Sequence, residues 1–219
     1  MKIATWNIER LKHLSGLSEQ QQLLDGLNAD ILVLTETHNR VDLKNYRYVV
    51  HSPLLTEIAP GFYDAAENRM SIYTNYEIVR LHDTYDKYTT LCAELKTEYG
   101  KLLVYGTIIG IYGNRHKNFQ SDLEQQISDY KRLSALGNFC LAGDFNISFA
   151  DNYYFTHNGR NALLTAFDAC KLQLLTYQQP ECIDHIAVSK TLLSGIEPEV
   201  QEWNMDLKLS DHKGISVEW

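Results

Sequence analysis

Little in this chain punctuates it. Only 4 prolines and 12 glycines are spread through 219 residues, with no Ser/Gly linker, charge block, low-complexity run or internal repeat. Nothing therefore marks a domain boundary, and the sequence predicts one domain over residues 1–219. Apolar runs stay far below bilayer-spanning length, and the N-terminal "IATWNI" is too short for the apolar region of a signal peptide, so no membrane partner is expected and the cytoplasm is the default location. Cysteine is sparse: Cys92, Cys140, Cys170 and Cys182 stand far apart in apolar segments without CxxC spacing, which reads as reduced core thiols and excludes a disulfide scaffold or a zinc cluster. Positive charge is also in deficit. With 28 acids against 20 Lys and Arg, the formal charge of −8 excludes a broad electrostatic grip on a polyanion, so any contact with nucleic acid must be local or cation-assisted. No obligate protein partner is evident.

What is present is a globular composition, 44% hydrophobic and 22% charged. Nine segments carry strand patterning: "KIATWNI", "DILVLTE", "YRYVVHS", "RMSIYTN", "TTLCAEL", "KLLVYGTIIGI", "NFCLAG", "CIDHIAVS" and "GISVEW". Three segments carry helical stripes. Ser18 and Gln21 form a capping-box pattern ahead of Leu23, Leu24 and Leu27; Ser121 and Glu124 repeat it ahead of Leu123, Ile127, Tyr130 and Leu133, with Gly137 as a C-terminal cap; the third stripe joins Leu163, Ala166, Phe167 and Cys170. Interleaved strands and one-sided helices predict an α/β fold of two stacked sheets flanked by helices.

Polar residues recur at the strand ends. "TWNIER" presents Asn7 and Glu9 on one strand face, "LVLTETH" ends at Glu36, "LAGDFN" offers Asp144 and Asn146, "CIDHIAV" sets Asp184 inside an apolar strand, and "LKLSDHKG" supplies Asp211 and His212. Singly, each has a plain explanation: Asp and Asn close turns, and a strand end is solvated. Asp184 fits that explanation least, because a buried carboxylate needs a partner. Taken together, they describe a shared polar site at one end of stacked sheets.

Carboxylate and amide oxygens suit a hard ion, Mg²⁺ or Mn²⁺, held with a substrate phosphate. Asp211 and His212 are neighbours that point apart on an extended chain, so Asp184 is the acid expected to orient His212 and keep it protonated against a phosphoryl oxygen.

The ordered set "TWNIER", "LTET", "GDFN", "IDHI" and "SDH" resembles the endonuclease/exonuclease/phosphatase family, which includes pancreatic deoxyribonuclease, abasic-site endonucleases, inositol-polyphosphate phosphatases and sphingomyelinases. The resemblance implies a four-layer α/β/β/α sandwich of mixed, largely antiparallel sheets, and metal-dependent cleavage of a phosphoester by an activated water. It implies Glu36 as the main metal ligand, with Asn7 and Asp211 near the metal and Glu9 either as a metal ligand or as an acid supporting the ligands. Asp144 resembles the acid that orients and deprotonates water, Asn146 its companion, and His212 with Asp184 the phosphate-contacting histidine. The family commonly has His or Tyr late in the strand before the Ser121 helix; there this chain has "LLVYGTIIGIYG", with Thr107 at the expected position and Tyr105, Tyr112 and His116 as fallbacks.

Substrate identity is less legible. Tyr153, Tyr154 and Arg160 in "FADNYYFTHNGRNA" can stack a base and clamp a phosphate, and Arg69 can contact one too. Each is about equally well explained as loop packing. The leading expectation is a phosphodiesterase acting on a nucleic acid or nucleotide. The alternatives are a phosphatase on a small phosphorylated molecule and a catalytically weak binding protein that keeps the fold.

Overall fold

Runs rich in β-branched and aromatic residues form the strands, and glycine-poor stripes form the helices. The computed structural model describes residues 1–193 and 195–219. Its strands are β1 (Lys2–Asn7), β2 (Ile31–Thr35), β3 (Tyr48–His51), β4 (Met70–Thr74), β5 (Glu77–His82), β6 (Thr90–Thr97), β7 (Gly100–Ile108), β8 (Asn138–Asp144), β9 (Leu172–Leu174), β10 (Asp184–Ser189), β11 (Glu199–Trp203) and β12 (Gly214–Glu218). The helices are α1 (Leu17–Gly26), α2 (Phe119–Ser134) and α3 (His157–Ala169).

One six-stranded sheet runs β11-β12-β1-β2-β4-β3 and the other β5-β6-β7-β8-β10-β9. Pairing is antiparallel except for β1 with β2 and β7 with β8, whose crossovers contain α1 and α2. The sheets stack through a core that includes Ile3, Val33 and Ile72 from the first and Leu95, Val104 and Ile186 from the second, all fully buried. Each such side chain contributes roughly 1.5–3 kcal/mol. Leu24 of α1 packs on the outer face of the first sheet with Trp6 and Leu34, while Leu123 and Tyr130 of α2 and Leu163 of α3 pack on the second with Tyr105 and Leu141. The result is the expected α/β/β/α layering. No described helix is long and apolar enough to cross a membrane.

Three strands, β5, β9 and β11, escape the sequence patterning. All are sheet edges; β5 is mostly exposed, β11 mixes exposed and half-buried positions, and β9 is only three residues long, so no clean alternation is written into them. The predicted caps also shift. α1 begins at Leu17 behind Gly16, and α2 at Phe119 behind Asn118, so Ser18 and Ser121 lie inside their helices; Gly137, at φ 159°, is extended rather than a left-handed cap. Thr156 is a true cap of α3, its hydroxyl accepting from Gly159 N–H at 3.2 Å.

Topology sets the polar ends together. β1 and β2 are parallel, as are β7 and β8, so each pair finishes at one end of its sheet, where antiparallel β4 and β10 begin: Thr35 lies opposite Met70 and Asp144 opposite Asp184.

Candidate active site

Pleating decides which residues of β8 reach the site. Cys140 and Ala142 face the inter-sheet core, Phe139 and Leu141 face the helices, and Asp144 continues the inner face. Gly143 sits at φ 140°, and a Cβ there would lie 2.1 Å from the Thr107 carbonyl oxygen, so this position requires glycine. Asp144 is buried, its Oδ1 accepting from Asn146 N–H at 2.9 Å and its Oδ2 from Asn7 Nδ2, across the sheets, and from Asn146 Nδ2, both at 3.3 Å. Burial raises its carboxyl to about 7, with Asp184 pushing the same way and His212 opposing. Asn146, held at φ 52°, also donates to Ile109 O at 3.0 Å, and Asn114 Nδ2 supports the Asn146 carbonyl at 2.8 Å.

His212 Nδ1 meets Asp184 Oδ2 at 2.5 Å. Burial alone would depress this imidazole, but Asp184, with Asp144 and Asp211 behind it, overrides burial and raises it to about 10. His212 is therefore protonated at neutral pH and donates through both ring nitrogens. Its backbone is fixed by residues the sequence reading passed over: Trp6 Nε1 and Asn204 Nδ2 donate to its carbonyl at 2.9 and 2.7 Å, and its N–H donates to Ser210 Oγ at 3.1 Å. Ser210 Oγ in turn donates to Asn7 O at 2.6 Å, tying the histidine loop to β1. The only sequence signal for these residues is nearness to "TWN" and "SDH".

On the other side of Asn7 lie the remaining acids. Glu36, in the left-handed region at φ 43°, pairs with Arg10 Nε at 3.5 Å, and Arg10 also donates to Glu67 at 3.3 Å. Glu9 is spoken for. Its oxygens take Lys12, His13 at 2.7 Å and the Asp211 N–H at 2.8 Å, contacts that outweigh burial and hold its carboxyl down at about 2. The expectation that Glu9 ligates a metal is thus corrected: both oxygens are committed, and it positions Asp211 instead. The Asp211 carboxylate has 66% of its side chain exposed and lies 3.6 Å from His212 Nε2.

Two features fit a divalent cation. The acids and amides brought to this end of the sandwich offer oxygen ligands, and Thr35 Oγ1, Asn68 Oδ1 and Asp184 Oδ1 are buried without a hydrogen bond within the protein. On distance alone, Asp144, Asp184 and His212 could also hold an ion, since their ligand atoms lie within 4.8 Å of one another. The bond between His212 and Asp184 also suits that trio to proton handling, and it is the family resemblance that points to Glu36 and Asp211 as the cation's ligands.

Not every expected residue arrives. Thr107 points to the helix side of β7, its hydroxyl donating to Gln126 Oε1, and the residue across from Asp144 on the inner face is the apolar Ile108. Thr107 is therefore corrected from site residue to helix-sheet bond, because strand periodicity puts it one position out of phase with Asp144. Of the fallbacks, Tyr105 is buried and bonded to Asp129 Oδ2 at 3.1 Å. Arg160 is also corrected. Its guanidinium donates through Nε to the Ser148 carbonyl, at 2.9 Å, and through a terminal nitrogen to the Asp151 carbonyl, and stacks 3.9 Å over Phe155, so it braces the loop before anything else. Tyr154 is paired to Ser148 in the same loop. Tyr153 does reach the site, lining with Asp184, Asp211 and His212 a small pocket at its mouth, and is 58% exposed. Arg69 donates to the Tyr63 hydroxyl at 3.2 Å, next to Arg10 on the Glu36 side.

The model of the Endonuclease/Exonuclease/phosphatase family matches residues 4–212. The chain belongs to that family. Its members are metal-dependent phosphoester hydrolases, and this chain is one of them. The fold is shared with a 3′ phosphatase from Neisseria solved with a product DNA hairpin (19% identity, 100% of this chain and 99% of that one, TM-score 0.72) and an abasic-site endonuclease from Leishmania major (16%, 99% and 86%, 0.75). An abasic-site endonuclease from Archaeoglobus fulgidus is also similar (14%, 100% and 99%, 0.69). No curated protein matches the chain. Within the family frame, the Asp144, Asp184 and His212 cluster occupies the end of the sandwich to which both parallel strand pairs deliver their polar residues.

Proposed function

We propose that this hydrolase is a Mg²⁺-dependent phosphodiesterase, with Mn²⁺ able to substitute, acting on a nucleic acid or nucleotide. The observation that carries it is the Asp184–His212 pair beside a buried Asp144 whose carboxyl is lifted to about 7. In this reading His212 Nε2–H donates to a non-bridging phosphate oxygen and stabilises charge as it develops, while Asp184 holds the ring. Asp144, poised near neutrality, takes a proton from the attacking water, and Asn146 and Asn7 fix its carboxylate. A bound divalent cation supplies charge neutralisation at the phosphate. Glu36 and Asp211 would hold it.

The small-substrate alternative draws support from one feature: Ile108 leaves the inner face of β7 without a polar phosphate contact. A 3′-phosphate at a DNA end is the monoester the Neisseria neighbour suggests. Incubation with Mg²⁺ or Mn²⁺ and plasmid, abasic duplex, single-stranded DNA, RNA, bis-nitrophenyl phosphate and nitrophenyl phosphate separates diesterase from monoesterase. His212→Ala should lower turnover by about 10²–10⁴-fold; cleavage that survives it rules this mechanism out.

A further inference from the structure

Two loops meet beside the catalytic cluster and enclose a space the mechanism does not use. One is the turn after β7, Gly110 to Asn114; the other is the segment Tyr85 to Thr89 that leads into β6. Between them lies a cavity of about 160 Å³. A cavity of about 150 Å³ holds one benzene ring. The turn is built on two glycines in the left-handed region: Gly110 at φ 69°, where a Cβ would lie 2.3 Å from the Phe119 ring, and Gly113 at φ 85°, where it would lie 2.5 Å from the Tyr154 hydroxyl. Gly113 N–H closes the turn on Gly110 O at 2.7 Å. The tight turn leaves Tyr112 70% exposed, with its ring 5.0 Å from that of His116, and Tyr85 on the facing loop is 42% exposed.

The carboxylates of the cavity are already used. Asp122 accepts from Gly110 N–H at 2.5 Å and from the Tyr85 hydroxyl, and Asp86 accepts from Tyr88 N–H and the Thr89 hydroxyl, both at 2.9 Å. A ligand is offered the ring faces of Tyr112 and His116. The cavity also shares a wall with the catalytic cluster, because Asn146 Nδ2 donates to Ile109 O at 3.0 Å and to Gly110 O at 3.4 Å.

We infer that this cavity receives an unpaired nucleobase of the nucleotide next to the scissile phosphate, held by stacking on Tyr112 and His116. The inference rests on the phosphodiesterase reading and sharpens it. A base within a duplex is already stacked and must be extruded to enter, so single-stranded or frayed substrate is preferred, and recognition through a ring face tolerates any base.

Titration of a short single-stranded DNA carrying 2-aminopurine, followed by fluorescence and in parallel by cleavage, tests this with wild type, Tyr112→Ala and His116→Ala. Wild type should quench the probe. Tyr112→Ala should lose most of the quench and bind about 5- to 100-fold more weakly, with His116→Ala changed in the same direction. Tyr112 is exposed, and thermal melting confirms that the variants are folded. Cleavage by wild type without quenching, or wild-type affinity in Tyr112→Ala, overturns the subsite and leaves the phosphodiesterase intact. Absence of both binding and cleavage for every oligonucleotide overturns the two together.

Discussion

His212 keeps its proton because Asp184 is 2.5 Å away, and it keeps its orientation because Trp6, Asn204 and Ser210 hold the backbone behind it. Asp184→Asn preserves shape and removes the charge, so it isolates the first effect. It should cut kcat by about 10²-fold or more with little change in melting temperature, and ring nitrogen shifts by NMR should show His212 neutral at pH 8. A variant that retains wild-type turnover would falsify the assigned pair. Thr107 supplies the complementary case. Its hydroxyl bonds Gln126 in the helix-sheet layer, where Tyr130 also donates to the same Gln126 oxygen at 2.9 Å. Thr107→Val should therefore lower stability by about 1–2 kcal/mol in chemical denaturation, while steady-state kinetics stay at the wild-type level.

At the scale of elements, the strand ends matter more than the strands. The buried strands were legible because both faces are apolar, and the polar residues that interrupt them, Asn7, Asp144 and Asp184, stood out for the same reason. The edge strands β5, β9 and β11 were illegible because each is either short or mixes exposed and half-buried side chains without a clean alternation. Thr107 was misplaced by a single residue, which in a strand reverses the face, and Arg160 looked like a phosphate clamp because nothing in a sequence shows that two nearby carbonyls and a Phe155 ring hold it to its own loop. Gly143 is the element-scale dependence that carries most risk. In Gly143→Ala the new Cβ meets the Thr107 carbonyl, a backbone atom that cannot step aside without breaking the parallel β7–β8 pairing. Loss of more than about 2 kcal/mol in stability is expected, with activity falling as Asp144 is displaced; an alanine variant as stable and active as wild type would contradict the backbone geometry described for β8.

The whole molecule repeats one plan. Read outward, both sheets place an edge strand, an antiparallel neighbour, a parallel pair joined through a helix, a second antiparallel neighbour and another edge. Asn7 ends the first strand of one parallel pair and Glu36 follows the second, while Asp144 ends the second strand of the other pair, so the proposed cation side and proton-transfer side of the site come from matching ends of the two halves. Neither half can bury its inner face alone, because Ile3, Val33 and Ile72 have only Leu95, Val104 and Ile186 and their neighbours to cover them. The two sheets should therefore unfold as one unit, and scanning calorimetry at pH 7.5 should give a single transition whose calorimetric and van't Hoff enthalpies agree. Acid should move that transition. His185 is buried between Thr176 and the Ile147 carbonyl, and burial, only partly opposed by Asp184, lowers it to about 4 against an ordinary 6.5. The folded state resists a proton that the unfolded chain accepts, so stability present above pH 6.5 is lost as pH falls toward 4, by up to about 3 kcal/mol from this group. His185→Gln should flatten the fall in melting temperature between pH 6.5 and 4 relative to wild type; an unchanged slope would show that His185 takes its proton as readily in the folded protein as in the unfolded one.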